Sequence, residues 1–160
     1  MPPTFSPIVG AQGFQQSNPS PIIVASLFGS LQIFKKAGMM GPLRERSIEL
    51  TRVLETLLKR SQYFIPVDQV SKNTTRRGFT IITPSETSHR GAQLSLLFLP
   101  VGSEVMRSVF KYFVENGVIG DEREPDVIRL APTPLYNTLK DCEEAAAVLE
   151  KAFNVMSGAL

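Results

Sequence analysis

Hydrophobic positions along the chain fall into blocks of different period, and proline and glycine mark the breaks between them. Ile23, Leu27, Leu31 and Phe34 recur at helical spacing up to Gly38. They follow Ser20-Pro21, an N-cap residue and a proline at the first helical position. A second helix runs from Gly41-Pro42 to about Ser61, with Leu43, Leu50, Leu54, Leu57 and Leu58 on one side and Arg44, Glu45, Arg52, Glu55 and Lys59 elsewhere. Phe79 to Thr83 has the β-branched content of a strand stopped by Pro84, and Gln93 to Leu99 is a second, stopped by Pro100. Ser103 is placed to cap a third helix through Val105, Val109, Phe110 and Phe113, which Asn116-Gly117 closes. Val118-Ile119 and Val127 to Leu130 read as short strands around a charged turn. Thr138, with Asp141 three residues on, reads as a capping box that opens a last helix through Ala145, Val148, Leu149 and Phe153.

This order lacks the strict strand-helix alternation of a doubly wound parallel sheet. It predicts an α+β fold: an antiparallel sheet of about four strands with helices packed on one face, preceded by two amphipathic helices. Residues 1–19, with prolines at 2, 3, 7 and 19 and glycines at 10 and 13, read as an extended arm, and 20–160 as a single domain. The polar stretch from Asp68 to Arg77 reads as a loop.

Composition narrows the partners. With 160 residues, 42% of them hydrophobic, the chain has one domain's worth of length and can bury a sizeable core. Seventeen basic residues against fifteen acidic ones leave a net charge of +2 with no basic block, so nucleic acid is not an expected partner. The lone cysteine, Cys142, excludes an internal disulfide, and with His89 as the sole histidine there are too few soft ligands for a closed zinc site. No stretch approaches ~18 uninterrupted apolar residues, and the start lacks a basic segment followed by an apolar run. The expectation is a soluble, cytoplasmic protein with no membrane partner.

Neither a Gly-rich phosphate loop, nor a G-x-S-x-G elbow, nor HExxH occurs. The chemistry must come from individually odd polar positions. Arg129 interrupts the apolar run Val127 to Leu130, and period-two alternation puts it on one face with Val127 and Ala131. Its guanidinium either pairs with a buried acid or points into a pocket for an anion, and its planar fork suits a carboxylate. His89-Arg90-Gly91 precedes the second strand and could bring an imidazole and a guanidinium to a sheet end, although a lone histidine is more often a surface or satisfied residue. Asn18 before Pro19 has the default role of a turn residue, and Tyr136-Asn137 that of a core ring plus turn. Two glutamates after Cys142 disfavour a thiolate there.

Several separated segments in order then point to a family. Gly13 to Pro19, Ala25 to Leu27 with Ser30 to Phe34, Arg90 to Ser95, and Gly117 to Ile119 continuing into Asp126 to Asn137 resemble the C-terminal part of kynureninase over nearly the whole chain. That family consists of pyridoxal-phosphate hydrolases that cleave kynurenine or 3-hydroxykynurenine to an anthranilate and alanine, with the cofactor held by a larger domain. The resemblance implies that Arg129 grips the substrate α-carboxylate and that Ser17 and Asn18 meet its aromatic side. It also implies that the Schiff-base lysine, the phosphate cradle and the aspartate on the pyridine nitrogen belong upstream of this chain. The family's tryptophan near the cofactor has no counterpart, because the chain has no Trp.

Three readings follow. The first is a self-standing enzyme that needs no cofactor, holds tryptophan or kynurenine by its carboxylate, and condenses the amine with an aldehyde in a Pictet–Spengler cyclisation. Its acid or base would be His89, Asp121, Glu122 or Tyr136. The second is the C-terminal portion of an ordinary kynureninase, active only with its lysine-bearing half. The third is a non-catalytic protein that pairs with a chain bearing pyridoxal phosphate, or with itself as a homodimer.

Overall fold

Proline and glycine divide the helical part of the chain where the pattern expects. The computed structural model describes residues 4, 6–72 and 75–158, which form two compact units, 1–40 and 41–160. The sequence places the boundary after Pro19; by its contacts the first unit runs on to Met40.

The first unit holds a 3-10 turn over Ala11–Phe14 and helix α1, Pro21–Lys36. Pro21 sits in the first turn as expected, but the Ser20 side chain makes no capping bond. The fixed φ of proline therefore starts this helix without help from a side-chain cap. Gly38, at φ +87°, closes it. No residue of α1 is buried, and Ile22, Ile23, Val24, Leu27, Phe28, Leu31 and Ile33 are all exposed. These positions cover about two thirds of the helix circumference, leaving Ala25, Gly29, Gln32 and Lys36 on the rest, so the apolar face of α1 is far wider than the single stripe expected.

The second unit begins one residue into α2, Met40–Arg60, which buries Leu43, Leu50, Leu54 and Leu58 along one stripe. Four strands follow: β1 Gly78–Ile81, β2 Leu94–Leu99, β3 Asp121–Arg123 and β4 Val127–Leu130. They form one sheet of order β1-β2-β4-β3 with every neighbour antiparallel. Helices α3, Val105–Glu115, and α4, Leu139–Met156, complete the unit. Leu94, Leu96, Phe98, Ile128 and Leu130 are buried, whereas Ser95, Leu97, Val127 and Arg129 between them are half-buried. The helices accordingly pack on one face of the sheet. Phe153 of α4 lies at the centre of the core, stacked on Tyr63 at 4.6 Å and on Phe79 and Phe98 at 6.0 and 6.1 Å.

Three local expectations are corrected. Val118-Ile119 is not a strand: Gly117 takes φ +76°, and the Val118 N–H bonds back to the Phe113 carbonyl at 2.9 Å, which closes α3 in a Schellman-type ending. The third strand starts at Asp121 instead. Ser103 is not the N-cap of α3, a position held by Glu104 without a side-chain cap; one residue earlier, its hydroxyl accepts from the Val105 N–H at 3.4 Å while donating to the Pro100 carbonyl at 2.5 Å. Within the expected loop from Asp68 to Arg77, a 3-10 turn spans Val67–Lys72. The capping box of α4 forms as expected: Asp141 N–H donates to Thr138 Oγ1 at 3.2 Å and Thr138 N–H to Asp141 Oδ2 at 2.7 Å.

A buried ionic knot ties the β1–β2 connection to α2. Arg90, whose side chain is 3% exposed, donates to Glu55 Oε2 at 2.5 Å, and Lys59 takes Glu55 Oε1 at 2.5 Å. Arg44 donates to the carbonyls of Thr87 and Arg90, and Thr51 Oγ1 to that of Ala92. Arg90→Ala would leave Glu55 buried beside Lys59 alone and is expected to cost about 3 kcal/mol, read as a fall in urea midpoint. Burial by itself raises the Glu55 carboxyl, but hydrogen bonds from Arg90 and Lys59, with their charges, outweigh it and hold the group below its ordinary value. A carboxyl lowered on folding stabilises the fold above its unfolded pKa and loses that contribution as pH falls through the folded value. Thermal stability should therefore hold from neutral pH to about 4.5 and decline below it, with a shallower decline in Glu55→Gln. An acid limb of equal steepness in the variant would contradict the assignment.

Among the described residues no single helix is long and apolar enough to cross a membrane.

Candidate functional site

Arg129 occupies the second-to-last position of β4, on the sheet face opposite the helices, with Ser95 of β2 and Asp121 of β3 as its cross-strand neighbours. Of the two options left by the sequence, the ion pair is the one formed. Asp121 Oδ2 accepts from Arg129 Nε at 2.6 Å and from Arg129 Nη2. The acid is not a buried one, however. Asp121 is 48% exposed and Arg129 29%. Arg123, two residues along β3 and so on the same face, grips the same oxygen through Nε at 3.2 Å and Nη2 at 3.0 Å. The hydrogen bond from Arg129 and the charges of Arg123 and Arg129 hold the Asp121 carboxyl below its ordinary value, against a smaller opposing effect of burial. It stays ionised through the neutral range, so Asp121 is badly matched to the acid-base role assigned to it from sequence. Its chemistry here is that of a counter-ion shared by two guanidinium groups.

The other candidates are scattered. His89 ends a 3-10 turn in the β1–β2 connection, 68% exposed, with Glu86 at 3.8 Å across a surface ion pair. No hydrogen bond or ion pair links it to Arg129. Tyr136 is exposed and its hydroxyl pairs with Thr133 Oγ1 at 3.2 Å, so it is not the core ring suggested by the sequence. Glu122, on β3, pairs in register with Ile128 of β4. Ser17 and Asn18 are exposed in the first unit, with the Ser17 carbonyl accepting from Gln15 Nε2 at 2.8 Å.

A groove of about 380 Å³ opens between α2, the end of α3 and the start of α4, lined among others by Leu54, Leu130, Pro132, Tyr136, Cys142 and Val148. Of the candidates only Tyr136 reaches it. Burial, with Asp141 and Glu143 nearby, pushes the Cys142 thiol up, and its Sγ lies 3.7 Å from the Leu50 carbonyl. It is a core residue rather than a nucleophile.

The pyridoxal phosphate implied by the family resemblance does not fit these residues. The groove is lined by neither lysine nor arginine, so it offers no amine for a Schiff base and no cation for a phosphate. Lys59, Lys111 and Lys140 are each paired with a glutamate four residues away. No group of three or more His, Cys, Asp or Glu able to hold a metal occurs among the described residues.

Sequence reasoning named Asp121 and Arg129 separately but missed that they meet, and it passed over Arg123. The signal was available in part: Asp121-Glu122-Arg123 and Val127 to Leu130 flank a short turn, and a hairpin of that length brings 121 opposite 129.

The fold and this arrangement define an open antiparallel α+β domain that presents a surface arginine, flanked by one acid, on the sheet face away from its helices. A family model for the kynureninase C-terminal domain matches residues 43–149, and the chain belongs to that family. It is 50% identical to kynureninase of Yarrowia lipolytica over 156 residues, which are 96% of this chain and 35% of that protein. It is 42% identical to kynureninase of Candida albicans over 156 residues, 95% of this chain and 33% of that protein. It is 46% identical to kynureninase 2 of Neurospora crassa over 152 residues, 92% and 29% respectively. The chain thus spans about a third of the length of the curated relatives it matches.

Proposed function

We propose that this chain is the part of a kynureninase-type hydrolase that holds the substrate's α-carboxylate, acting together with a lysine-bearing part equivalent to the remaining length of its relatives. The observation that carries this reading is Arg129. Its fork stands on an accessible sheet face, its Nη1 has no hydrogen-bond partner among the described residues, and a carboxylate can take two parallel N–H bonds from such a group. Anchoring one end of an amino acid this way restricts its rotation and sets its reacting carbon relative to groups supplied from elsewhere.

Helix α1 supports the same reading. A helix with so wide an apolar face, none of it fully buried, calls for a covering surface. The lysine-bearing part is the candidate to provide it. The cofactor-independent cyclisation has no comparable support: the groove is lined by neither Arg129, Asp121 nor His89, so it does not bring an anchored amine together with those groups.

The test is a fusion in which the full chain replaces the matched third of the Yarrowia lipolytica kynureninase. Release of a fluorescent anthranilate from L-kynurenine is expected from the fusion and not from this chain alone. A fusion that folds and takes up its cofactor yet releases none would sink the proposal.

A further inference from the structure

Asp121 and Arg129 lie directly opposite each other on paired strands, and the contact between them is one-sided. A single oxygen, Oδ2, takes Nε and Nη2 of Arg129. Nη1 has no partner among the described residues. The same Oδ2 is gripped by both Nε and Nη2 of Arg123, so the acid is itself held from the other side. We propose that Asp121 is a positioning residue, which occupies the Nε side of Arg129 so that the Nη1–Nη2 end of the guanidinium faces the incoming carboxylate. This rests on the reading of Arg129 given above.

Charge and exposure agree with such a role. Two guanidinium groups and one carboxylate sum to a charge of +1, which still attracts an anion, whereas Arg123 and Arg129 without the acid would repel each other. An ion pair this exposed contributes little to stability, so its placement is not explained by folding. What it does supply is order. A free arginine side chain samples many rotamers and must surrender them on binding, and fixing it beforehand removes that cost from the association step. The opposite possibility, that Asp121 competes with the substrate for the fork, makes the opposite prediction.

The fused enzyme decides between them. Asp121→Ala is expected to raise the KM for L-kynurenine about 3- to 10-fold while changing kcat less than about 2-fold. Asp121→Asn keeps an oxygen acceptor at the same place and should recover most of that loss. In an Arg129→Ala background, Asp121→Ala should add less than about 2-fold, because Asp121 acts only through Arg129. An unchanged or lowered KM in Asp121→Ala overturns the inference. If Arg129→Ala itself leaves KM unaltered, it is the carboxylate reading that fails. A second measurement needs no activity: in the ¹⁵N-labelled full chain, the Arg129 Nε–H should exchange slowly with solvent and become fast in Asp121→Ala. Equal exchange rates in the two proteins overturn the inference as well.

Discussion

Replacing Arg129 by alanine in the fused enzyme is expected to raise the KM for L-kynurenine about 10- to 100-fold, with a smaller change in kcat. The estimate follows from removing a charge-assisted pair of hydrogen bonds to a carboxylate, worth about 1.5–3 kcal/mol. Arg129→Lys should recover only part of it, because an ammonium returns the charge without the planar fork. The side chain is on the face away from the core and its partner is half exposed, so the variant should fold normally. A decarboxylated substrate analogue supplies the control: it should be handled almost equally by wild type and Arg129→Ala. Wild-type KM in the alanine variant would show that the carboxylate is held elsewhere.

The largest expected loss of stability comes from Phe153→Ala, at about 3–5 kcal/mol in equilibrium urea unfolding. Phe153 is fully buried, and its ring meets Tyr63, Phe79 and Phe98, so one truncation opens a cavity among residues from α4, β1, β2 and the segment after α2. Rigid neighbours on a sheet collapse poorly into such a space. Phe153→Leu, which keeps most of the volume, should cost far less. A loss under about 1 kcal/mol for the alanine variant would mean that the aromatic stack is not the organising part of the core.

The two predictions depend on different kinds of information. Phe153 was legible as a core residue because it falls in step with Ala145, Val148 and Leu149 on a capped helix, and burial follows from periodicity. The capping box at Thr138 and Asp141 was legible for the same reason, since its partners are three residues apart. The strand at Val118-Ile119 was misread because β-branched residues favour a strand locally, while the bond from Val118 back to Phe113 and the left-handed Gly117 commit the segment to a helix ending. Ser103 was placed one residue off: Glu104 takes the cap position, while the Ser103 hydroxyl still accepts from the Val105 N–H. Arg90 reads as a guanidinium brought to a sheet end, but nothing nearby in sequence announces its buried partner Glu55, thirty-five positions earlier.

What the sequence by itself determined is the four helices and three of the four strands, their order, the faces that α2, α3 and α4 bury, and the family to which they belong. These depend on spacings of two to four residues, where backbone geometry leaves few alternatives. Only the tertiary structure decided that Arg129 meets Asp121 and Arg123, that His89 and Tyr136 stand apart from it, and that the groove lies elsewhere. Those relations are set by strand register and by which loops close over which helix: even across the short β3–β4 hairpin a one-residue slip would part Arg129 from Asp121, and the other relations join segments distant along the chain.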